Sequence, residues 1–181
     1  MKLISKLIIK ITGWRIVGGI PPNVNKCLVV MAPHTSMWDF IWGRLAFWAL
    51  GVKAKFMMKK EMFNPILRPL LIRAGGIPVD RSKSSNTVDA ISDLFNKYDS
   101  LYITVTPEGT RKLNADWKKG FYYIALQAKV PIALGFLDYE KKEGGIGKLF
   151  IPTGDFEKDF KIVEDFYRGH KAKHPERFNL S

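Results

Sequence analysis

A histidine and an aspartate in the stretch VVMAPHTSMWDF, residues 29–40, are of the types that carry out acid–base chemistry. His34 and Asp39 are five positions apart, and in a continuous α-helix, where each residue turns by about 100°, they would face nearly opposite directions. His34 must therefore precede the helix that contains Asp39. In that arrangement a neutral imidazole can accept a proton, while the carboxylate fixes its tautomer and stabilises the imidazolium that forms.

Two local signals indicate where that helix begins. Pro33 disfavours helical backbone at the residue before it, and Ser36 followed three residues later by Asp39 has the form of an N-terminal cap with a first-turn acid. We expect His34 on the loop that follows a strand, with Asp39 folded back toward its ring. Because Ser36 is better used as the cap and no nucleophile-elbow motif is present, the hydroxyl to be activated is expected to belong to a substrate. A single histidine is more often structural than catalytic, so the assignment of His34 as a base depends on the other motifs.

A second group of residues follows two further apolar stretches. Arg81 comes after GGIPVD, and the block TPEGTRK places Glu108, Gly109, Thr110 and Arg111 directly after a predicted strand. Two arginines at strand ends offer forked donors for a phosphate, and strand ends in open α/β sheets are where ligands usually bind. The glycine permits a tight turn or a close backbone approach. The glutamate is expected either to order an arginine or a bound hydroxyl, or to form a buried structural ion pair.

Alternating strand and helix patterns position these motifs. CLVVMAP, SLYITVTPEG and VPIALGF are typical of short buried strands, whereas SNTVDAISDLFNKYDS and GFYYIALQAK have helical spacing. The pattern predicts one α/β domain with a central mixed sheet flanked by helices. EKKEGGIGK, residues 140–148, is predicted as a surface turn, and the charged segment after Pro152, with its closing helix, as a peripheral or mobile part of the chain.

Composition limits the classes of function. The 181 residues include 29 Lys and Arg against 17 Asp and Glu, a net charge of +12, which favours an anionic partner such as nucleic acid, a phospholipid surface or a phosphate-bearing substrate. Cys27 is the only cysteine and His34 lies far in sequence from the other two histidines, so neither a disulfide framework nor a structural zinc site is expected. No helix-turn-helix, zinc-finger or RNA-binding motif accompanies the charge, which disfavours nucleic acid.

The N-terminal segment, residues 1–20, has the pattern of a basic amphipathic helix. Leu3, Leu7 and Ile11 share one side of that helix, and lysines mark another side. Three roles are compatible with this pattern: attachment to a membrane surface, packing on the domain's own core, or a signal peptide, which the interrupting lysines disfavour. The lysines and Trp14 favour the membrane surface. The chain has no run that approaches the about 20 apolar residues of a spanning helix.

Four motifs, in their order along the chain, carry a family resemblance. PHTSMWD, GGIPVDRS, TPEGTR and VPIALGF resemble the successive blocks of the glycerolipid acyltransferase family, whose bacterial members include 1-acylglycerol-3-phosphate acyltransferases. The resemblance covers residues 28–138. It implies that His34 is the general base and Asp39 its partner, and that Arg81 and residues 108–111 bind the acceptor phosphate. The fourth block, VPIA, is the least diagnostic.

The resemblance implies an acyltransferase domain, residues 21–181, with the α/β fold of the glycerol-phosphate acyltransferases. A fatty acyl group would move from a thioester, on coenzyme A or acyl carrier protein, to the hydroxyl of a lysolipid, with 1-acylglycerol 3-phosphate as the first choice. No metal or other cofactor is expected, because thiolate is a capable leaving group. Residues 1–20 would attach the chain peripherally to an anionic membrane surface at its cytoplasmic face.

The alternatives concern the acceptor and the chemistry itself. The acceptor is alternatively a lyso-amino-acid lipid or another alcohol without phosphate. Outside enzymes, the chain is alternatively a basic peripheral membrane or nucleic-acid-binding module with an inert histidine. The segment 40–76, in which Trp, Phe and Met are interleaved with Lys and Arg, fits a groove for an acyl chain beneath headgroups, a surface for stacked bases, or a core helix with a solvated basic face.

Overall fold

The computed structural model describes residues 1–80 and 84–180, and their seven strands form one sheet. In chain order the strands are β1 (Arg15–Gly18), β2 (Lys26–Met31), β3 (Ala54–Lys59), β4 (Gly76–Val79), β5 (Leu101–Val105), β6 (Ile132–Asp138) and β7 (Glu143–Phe150). The helices are α1 (Lys2–Ile11), α2 (Met37–Leu50), α3 (Arg68–Arg73), α4 (Ser84–Lys97), α5 (Gly120–Ala128) and α6 (Phe156–Tyr167), with short 3₁₀ turns at Lys60–Met62 and Pro175–Arg177. The predicted alternation of strands and helices is confirmed.

The sheet is mixed, and β2 lies at its centre. The order is β1-β7-β6-β2-β5-β3-β4; strands β2 to β6 are parallel, while β7 is antiparallel to β6 and parallel to β1. The sequence of a strand covered on both faces is a continuous apolar run, and this is what β2 shows from Cys27 to Val30 and β6 from Ile132 to Leu137. The predicted mixed sheet is therefore confirmed.

Helices cover both faces of the sheet. Leu28 and Val30 of β2 pack with buried side chains of α4, α5 and α6, whereas Cys27 and Val29 pack on the other face with Phe47 of α2. The alternation arises because successive side chains of a strand point to opposite faces of the sheet. Helix α1 packs against α2 on that second face. The result is a sheet between two helical layers, a rigid frame for the loops that leave the strand ends.

The segment EKKEGGIGK was predicted as a surface turn, and most of it is a strand. The turn covers only residues 139–142, after which β7 pairs with β6 on one side and β1 on the other. A Cβ at Gly145 would lie 1.9 Å from the Val17 carbonyl oxygen, and one at Gly144 would lie 2.6 Å from the Leu137 side chain. The prediction was wrong because glycine clusters also occur where strands approach closely.

The C-terminal part, predicted to be peripheral, belongs to the core. Helix α6 buries Phe160, Val163 and Tyr167 in the cluster that covers the first face of the sheet. The Tyr167 hydroxyl lies 2.8 Å from the Val30 carbonyl oxygen and 2.9 Å from that of Gly135. The single O–H proton is thus shared between a carbonyl near the carboxyl end of β2 and one in the middle of β6, and it ties α6 to the two central strands.

The predicted N-terminal helix is confirmed as α1. Ile9 is buried, whereas the apolar face of α1, formed by Leu3, Leu7 and Ile11, is 82%, 58% and 75% exposed. The chain then enters β1, which pairs with β7 at one edge of the sheet. The division of the chain into a membrane-associating segment, residues 1–20, and a catalytic domain stays a prediction.

Candidate active site

The candidate site lies at the carboxyl ends of the three central parallel strands. His34 follows β2, Glu108 follows β5 and Tyr139 follows β6. Because β2 pairs in parallel with both neighbours, the loops after the three strands emerge side by side. Direct contacts thus join His34 to Glu108 across 74 positions, and Asp39 to Tyr139 across 100.

The loop between β2 and α2 brings Asp39 to His34, as the sequence predicts. Ser36 is the N-cap of α2, and its hydroxyl accepts a hydrogen bond from the Trp38 N–H at 3.2 Å. Asp39 reaches back from the third helical position, and its Oδ2 accepts from the N–H groups of Thr35 and Ser36, each at 2.7 Å. The same oxygen lies 3.3 Å from His34 Nδ1. The capping box therefore fixes the carboxylate beside the ring.

Asp39 is kept ionised by its hydrogen bonds. Its side chain is 6% exposed, and its second oxygen, Oδ1, accepts from the Tyr139 hydroxyl at 2.7 Å. Burial by itself would raise the pKa of Asp39, but hydrogen bonds from His34, the Tyr139 hydroxyl and the Ser36 N–H together bring it below its ordinary value. The His34 side chain beside it is 22% exposed and accessible from solvent. An anionic carboxylate thus faces an accessible imidazole.

Glu108 is a buried carboxyl that holds the backbone of the His34 loop. It is 2% exposed, and its Oε1 accepts the His34 backbone N–H at 2.8 Å. Its Oε2 is buried and has no hydrogen-bond partner among the described residues. Burial raises the pKa of Glu108 to about 8, the His34 N–H opposes this, and the nearby Asp39 charge adds to it. Glu108 is therefore mostly protonated at neutral pH, and its role in binding a substrate stays a prediction.

The rest of the Glu-Gly-Thr-Arg block forms the turn after β5. Gly109 has a φ of +67°, and its N–H donates to the Thr106 carbonyl at 3.1 Å, which confirms the predicted tight turn. Thr110 is partly exposed, and its hydroxyl accepts from the Lys112 N–H at 3.3 Å. The turn follows β5 and therefore lies at the carboxyl ends of the parallel strands, where His34 also lies.

One of the two arginines predicted to bind phosphate can be placed. Arg111 is exposed and forms no ion pair with any residue of the ranges 1–80 and 84–180. Arg81 lies outside the described residues; it follows β4, which ends at Val79. Strands β4 and β5 are both parallel to β3, so the carboxyl ends of all three strands lie on the same side of the sheet. Phosphate binding by Arg81 and Arg111 stays a prediction.

Residues of the C-terminal part reach the site, and the sequence motifs did not reveal them. Besides Tyr139, the His174 backbone N–H donates to the Thr35 hydroxyl at 3.2 Å, and Lys173 Nζ lies 5.1 Å from the centre of the Trp38 ring. One general signal was available: Tyr139 directly follows the strand-like run IALGFLD, and strand ends in such sheets carry functional groups. No local pattern marks Lys173 or His174.

The arrangement is suited to proton transfer. A carboxylate beside Nδ1 leaves the opposite ring nitrogen, Nε2, to accept a proton from a bound hydroxyl. Within the part of the chain that the structure describes, no group of three or more His, Cys, Asp or Glu side chains could hold a metal ion.

Residues 18–133 match the protein-family model described as Acyltransferase. That stretch contains the His34 loop and the Glu108 turn, the two parts of the site that the sequence motifs revealed. The chain belongs to the Acyltransferase family. The family resemblance read from the four motifs is thereby confirmed, and the Acyltransferase match ends shortly before Tyr139.

Named relatives within the Acyltransferase family are similar to part of this chain. The 1-acyl-sn-glycerol-3-phosphate acyltransferase of Streptococcus pneumoniae is 34% identical over 113 residues, which cover 61% of this chain and 41% of the relative. The human 1-acyl-sn-glycerol-3-phosphate acyltransferase beta is 38% identical over 112 residues, covering 58% of this chain and 38% of the relative. The chain spans about two fifths of the length of the curated relatives it matches.

The fold has a counterpart among solved structures. The crystal structure of the 1-acyl-sn-glycerophosphate (LPA) acyltransferase PlsC from Thermotoga maritima matches with a TM-score of 0.64 at 20% identity, covering 95% of this chain and 80% of that one. The expected α/β fold of the glycerol-phosphate acyltransferases is therefore confirmed, including the C-terminal elements that lie beyond the family match.

Proposed function

We propose that this chain is an O-acyltransferase of phospholipid biosynthesis, which moves a fatty acyl group from a thioester to a lysolipid hydroxyl. The observation that carries the proposal is the His34–Asp39 pair, in which Nδ1 and Oδ2 are 3.3 Å apart and the ring is accessible. The chain's membership of the Acyltransferase family supports the reaction. The names of its relatives support 1-acylglycerol 3-phosphate as the acceptor.

In the proposed reaction His34 is the general base. Because its Nδ1 faces Asp39, its Nε2 takes the proton from the acceptor hydroxyl, whose oxygen attacks the carbonyl carbon of the thioester. The tetrahedral intermediate collapses with cleavage of the C–S bond, and the proton held by His34 passes to the departing thiolate. Asp39 stabilises the imidazolium between these two transfers. The products are an ester and the free thiol of coenzyme A or acyl carrier protein.

Basic residues are proposed to select a phosphate-bearing acceptor. Arg81 and Arg111 would hold the phosphate, and Glu108, Gly109 and Thr110 would shape the pocket around it. Exposure of Arg111, without an ion-pair partner in the described part of the chain, supports this role. The net charge of +12 favours an anionic substrate and an anionic surface alike.

Peripheral attachment to the cytoplasmic face of a membrane, through α1, is the second part of the proposal. The exposed apolar face of α1 can enter the boundary between headgroups and acyl chains. Beside it, a cavity of about 620 Å³ is lined by Lys2, Lys6, Lys10 and Trp14, cations that suit anionic headgroups. Across the described residues, no helix combines the length and apolar character that a membrane crossing needs.

The reaction is tested with purified protein, a fatty acyl-coenzyme A and lysolipids with and without phosphate, following thiol release and the diacyl product. His34→Gln should lower kcat by about 10² to 10⁴, the usual range for a positioned proton-transfer group. His174→Gln is the matched control and should keep its activity, because its side chain pairs with Glu176 and its contact with Thr35 is through the backbone N–H, which glutamine keeps. Acyl-loaded carrier protein is the second donor to be assayed.

Each outcome of this assay separates the alternatives. Product from lysophosphatidate that depends on His34 supports the proposed reaction and acceptor, and the more active donor identifies the carrier. Product that depends on His34 but forms on a phosphate-free acceptor keeps the mechanism and replaces the acceptor. Full activity of His34→Gln, or no turnover with either donor, contradicts the proposed enzyme and favours a basic binding module.

Arg111→Lys separates a phosphate contact from a general charge effect. Lysine keeps the charge but loses the forked geometry, so kcat/KM should fall more for lysophosphatidate than for a phosphate-free acceptor. Arg168→Lys, an exposed arginine paired with Asp165 on α6, is the control. Equal losses on both acceptors would argue against a phosphate contact.

Vesicle flotation tests the attachment. A triple variant, Leu3→Ser with Leu7→Ser and Ile11→Ser, should bind phosphatidylcholine–phosphatidylglycerol vesicles at least about tenfold more weakly, because three exposed apolar side chains no longer enter the lipid. Ile151→Ser is the control, since Ile151 is 72% exposed but lies after β7. Unchanged binding of the triple variant would refute attachment through α1.

A further inference from the structure

Tyr139 completes the hydrogen bonding of Asp39. It is the first residue after β6, and its hydroxyl donates to Asp39 Oδ1 at 2.7 Å. The other oxygen, Oδ2, accepts from the N–H groups of Thr35 and Ser36 and faces His34 Nδ1. With donors on both oxygens, the carboxylate cannot turn about its Cβ–Cγ bond without losing a hydrogen bond.

Tyr139 is itself fixed from several sides. The edge-to-face contact with Trp14 has ring centroids 5.1 Å apart, and Trp14 in turn stacks on Trp42 of α2 at 4.9 Å. The Tyr139 backbone N–H donates to the Lys171 carbonyl at 2.9 Å. The chain after α1, the helix α2 and the chain after α6 therefore all help to orient this phenol.

We propose that Tyr139 is a positioning residue, whose hydroxyl holds the Asp39 carboxylate so that it faces the His34 ring. This rests on the proposed function, in which Asp39 stabilises the imidazolium formed when His34 accepts the proton of the acceptor. Loss of the hydroxyl removes the donor on Oδ1 and leaves only the two N–H donors on Oδ2 to hold the carboxylate, so its plane can tilt. This weakens the stabilisation of the imidazolium and leaves the contacts with substrate unchanged. Tyr139 lies outside residues 18–133, the stretch that the family model matches.

A double-mutant cycle between Tyr139→Phe and Asp39→Ala tests the proposal through turnover. Tyr139→Phe alone should lower kcat by about 10- to 100-fold with KM nearly unchanged, the same range as for the hydrogen-bond partners that orient metal-binding side chains. In the Asp39→Ala background it should change kcat by less than about twofold, because the carboxylate it positions is absent. Equal losses in both backgrounds, or no loss in the native one, would overturn the proposal.

Tyr122→Phe is the matched control. It also removes a tyrosine hydroxyl that donates to a buried carboxylate, Asp159 Oδ2 at 2.9 Å, but in the helical layer opposite α2. It should lower the stability of the protein and leave kcat of the folded enzyme unchanged. If Tyr122→Phe lowered kcat as much as Tyr139→Phe does, both substitutions would act through general stability, and the proposal would be wrong.

A second measurement, the NMR assignment of histidine tautomers in ¹⁵N-labelled protein, does not depend on turnover. Among the described residues, Glu108 bonds to the His34 backbone and Tyr139 to Asp39, while Lys173 Nζ lies 6.0 Å from the Tyr139 ring centre. Tyr139→Phe changes only one of these groups, so its effect on the His34 tautomer reports on the hydroxyl.

If the hydroxyl positions the carboxylate, the ¹⁵N shifts of the His34 ring at a fixed pH should show mainly the Nδ1-protonated tautomer in the native protein and a larger share of the Nε2-protonated tautomer in Tyr139→Phe. The ring shifts of His170 and His174 should stay in place. An unchanged His34 tautomer overturns the proposal, because the carboxylate then faces the ring without the hydroxyl. A changed tautomer in a protein without thioester turnover supports positioning by Tyr139 and discards the acyltransferase reaction.

Discussion

Glu108→Gln should stabilise the folded protein increasingly as the pH rises from 5 to 8. Burial keeps Glu108 protonated up to a pKa of about 8 in the folded protein, against 4.5 for an ordinary glutamate such as that of the unfolded chain. Between those values folding takes up a proton, so the free energy of unfolding falls as the pH rises and levels off above about 8. Glutamine has no charge in either state, and its amide oxygen can accept the same hydrogen bond from the His34 N–H.

The size of the effect follows from the width of that pH range. For each pH unit in which the folded and unfolded states differ by one proton, the free energy of unfolding changes by about 1.4 kcal/mol. Between pH 5 and pH 8 the native protein should therefore lose about 3 to 4 kcal/mol that Glu108→Gln retains. Contributions from other titrating groups are common to both proteins and cancel in the difference.

Urea unfolding at pH 5, 6, 7 and 8, followed by tryptophan fluorescence, measures this difference. Glu157→Gln is the matched control, because Glu157 has a side chain 78% exposed and pairs with Lys119 at the surface. The stability of Glu157→Gln relative to the native protein should not vary with pH by more than a few tenths of a kcal/mol. If Glu108→Gln also shows a constant difference, Glu108 is ionised in the folded site, and the reasoning from its burial is wrong.

Two further predictions concern the cap of α2 and the edge of the sheet. Ser36→Ala removes the hydroxyl that caps α2 and should lower the free energy of unfolding in urea by about 1 kcal/mol, whereas Ser36→Thr should keep the cap; equal stability of the two would contradict the capping role. Gly145→Ala puts a methyl group 1.9 Å from the Val17 carbonyl oxygen and should cost at least about 2 kcal/mol in the same assay. Gly120→Ala, where a Cβ would meet nothing within 4 Å, is its control, and similar stability of the two glycine variants would argue against the close approach of β1 and β7.

The parts of the site that the sequence predicted are those that depend on neighbouring residues. The position of His34 before α2, the Ser36 cap and the return of Asp39 all follow from rules that act within one helical turn. The tight turn at Gly109 is of the same kind. Periodicity likewise predicted the buried strands and the helices between them, because it reflects which faces are covered.

The parts that were missed or wrong depend on tertiary packing. The Asp39–Tyr139 hydrogen bond joins residues 100 positions apart, and no spacing rule reaches that far. The sequence predicts a turn at the glycines of β7, but they lie in a strand that packs closely against β1 and β6. That contact depends on strands distant in sequence, which no local pattern reveals. Helix α6 was assigned to the periphery because its charged face is evident in the sequence, while its buried Tyr167 finds its partners in other strands.

The central strand β2 and the His34 loop leave the ribosome well before the elements that complete them. Glu108 follows with β5, then Tyr139 with β6, and last Tyr167 of α6, 137 residues after the Val30 carbonyl to which it bonds. Until β5 and β6 are synthesised, both edges of the apolar strand β2 are unpaired and open to other chains, so the nascent protein is exposed to aggregation at this stage. Folding should accordingly be governed by the closure of long loops, and the complete site forms only after α6 has been made.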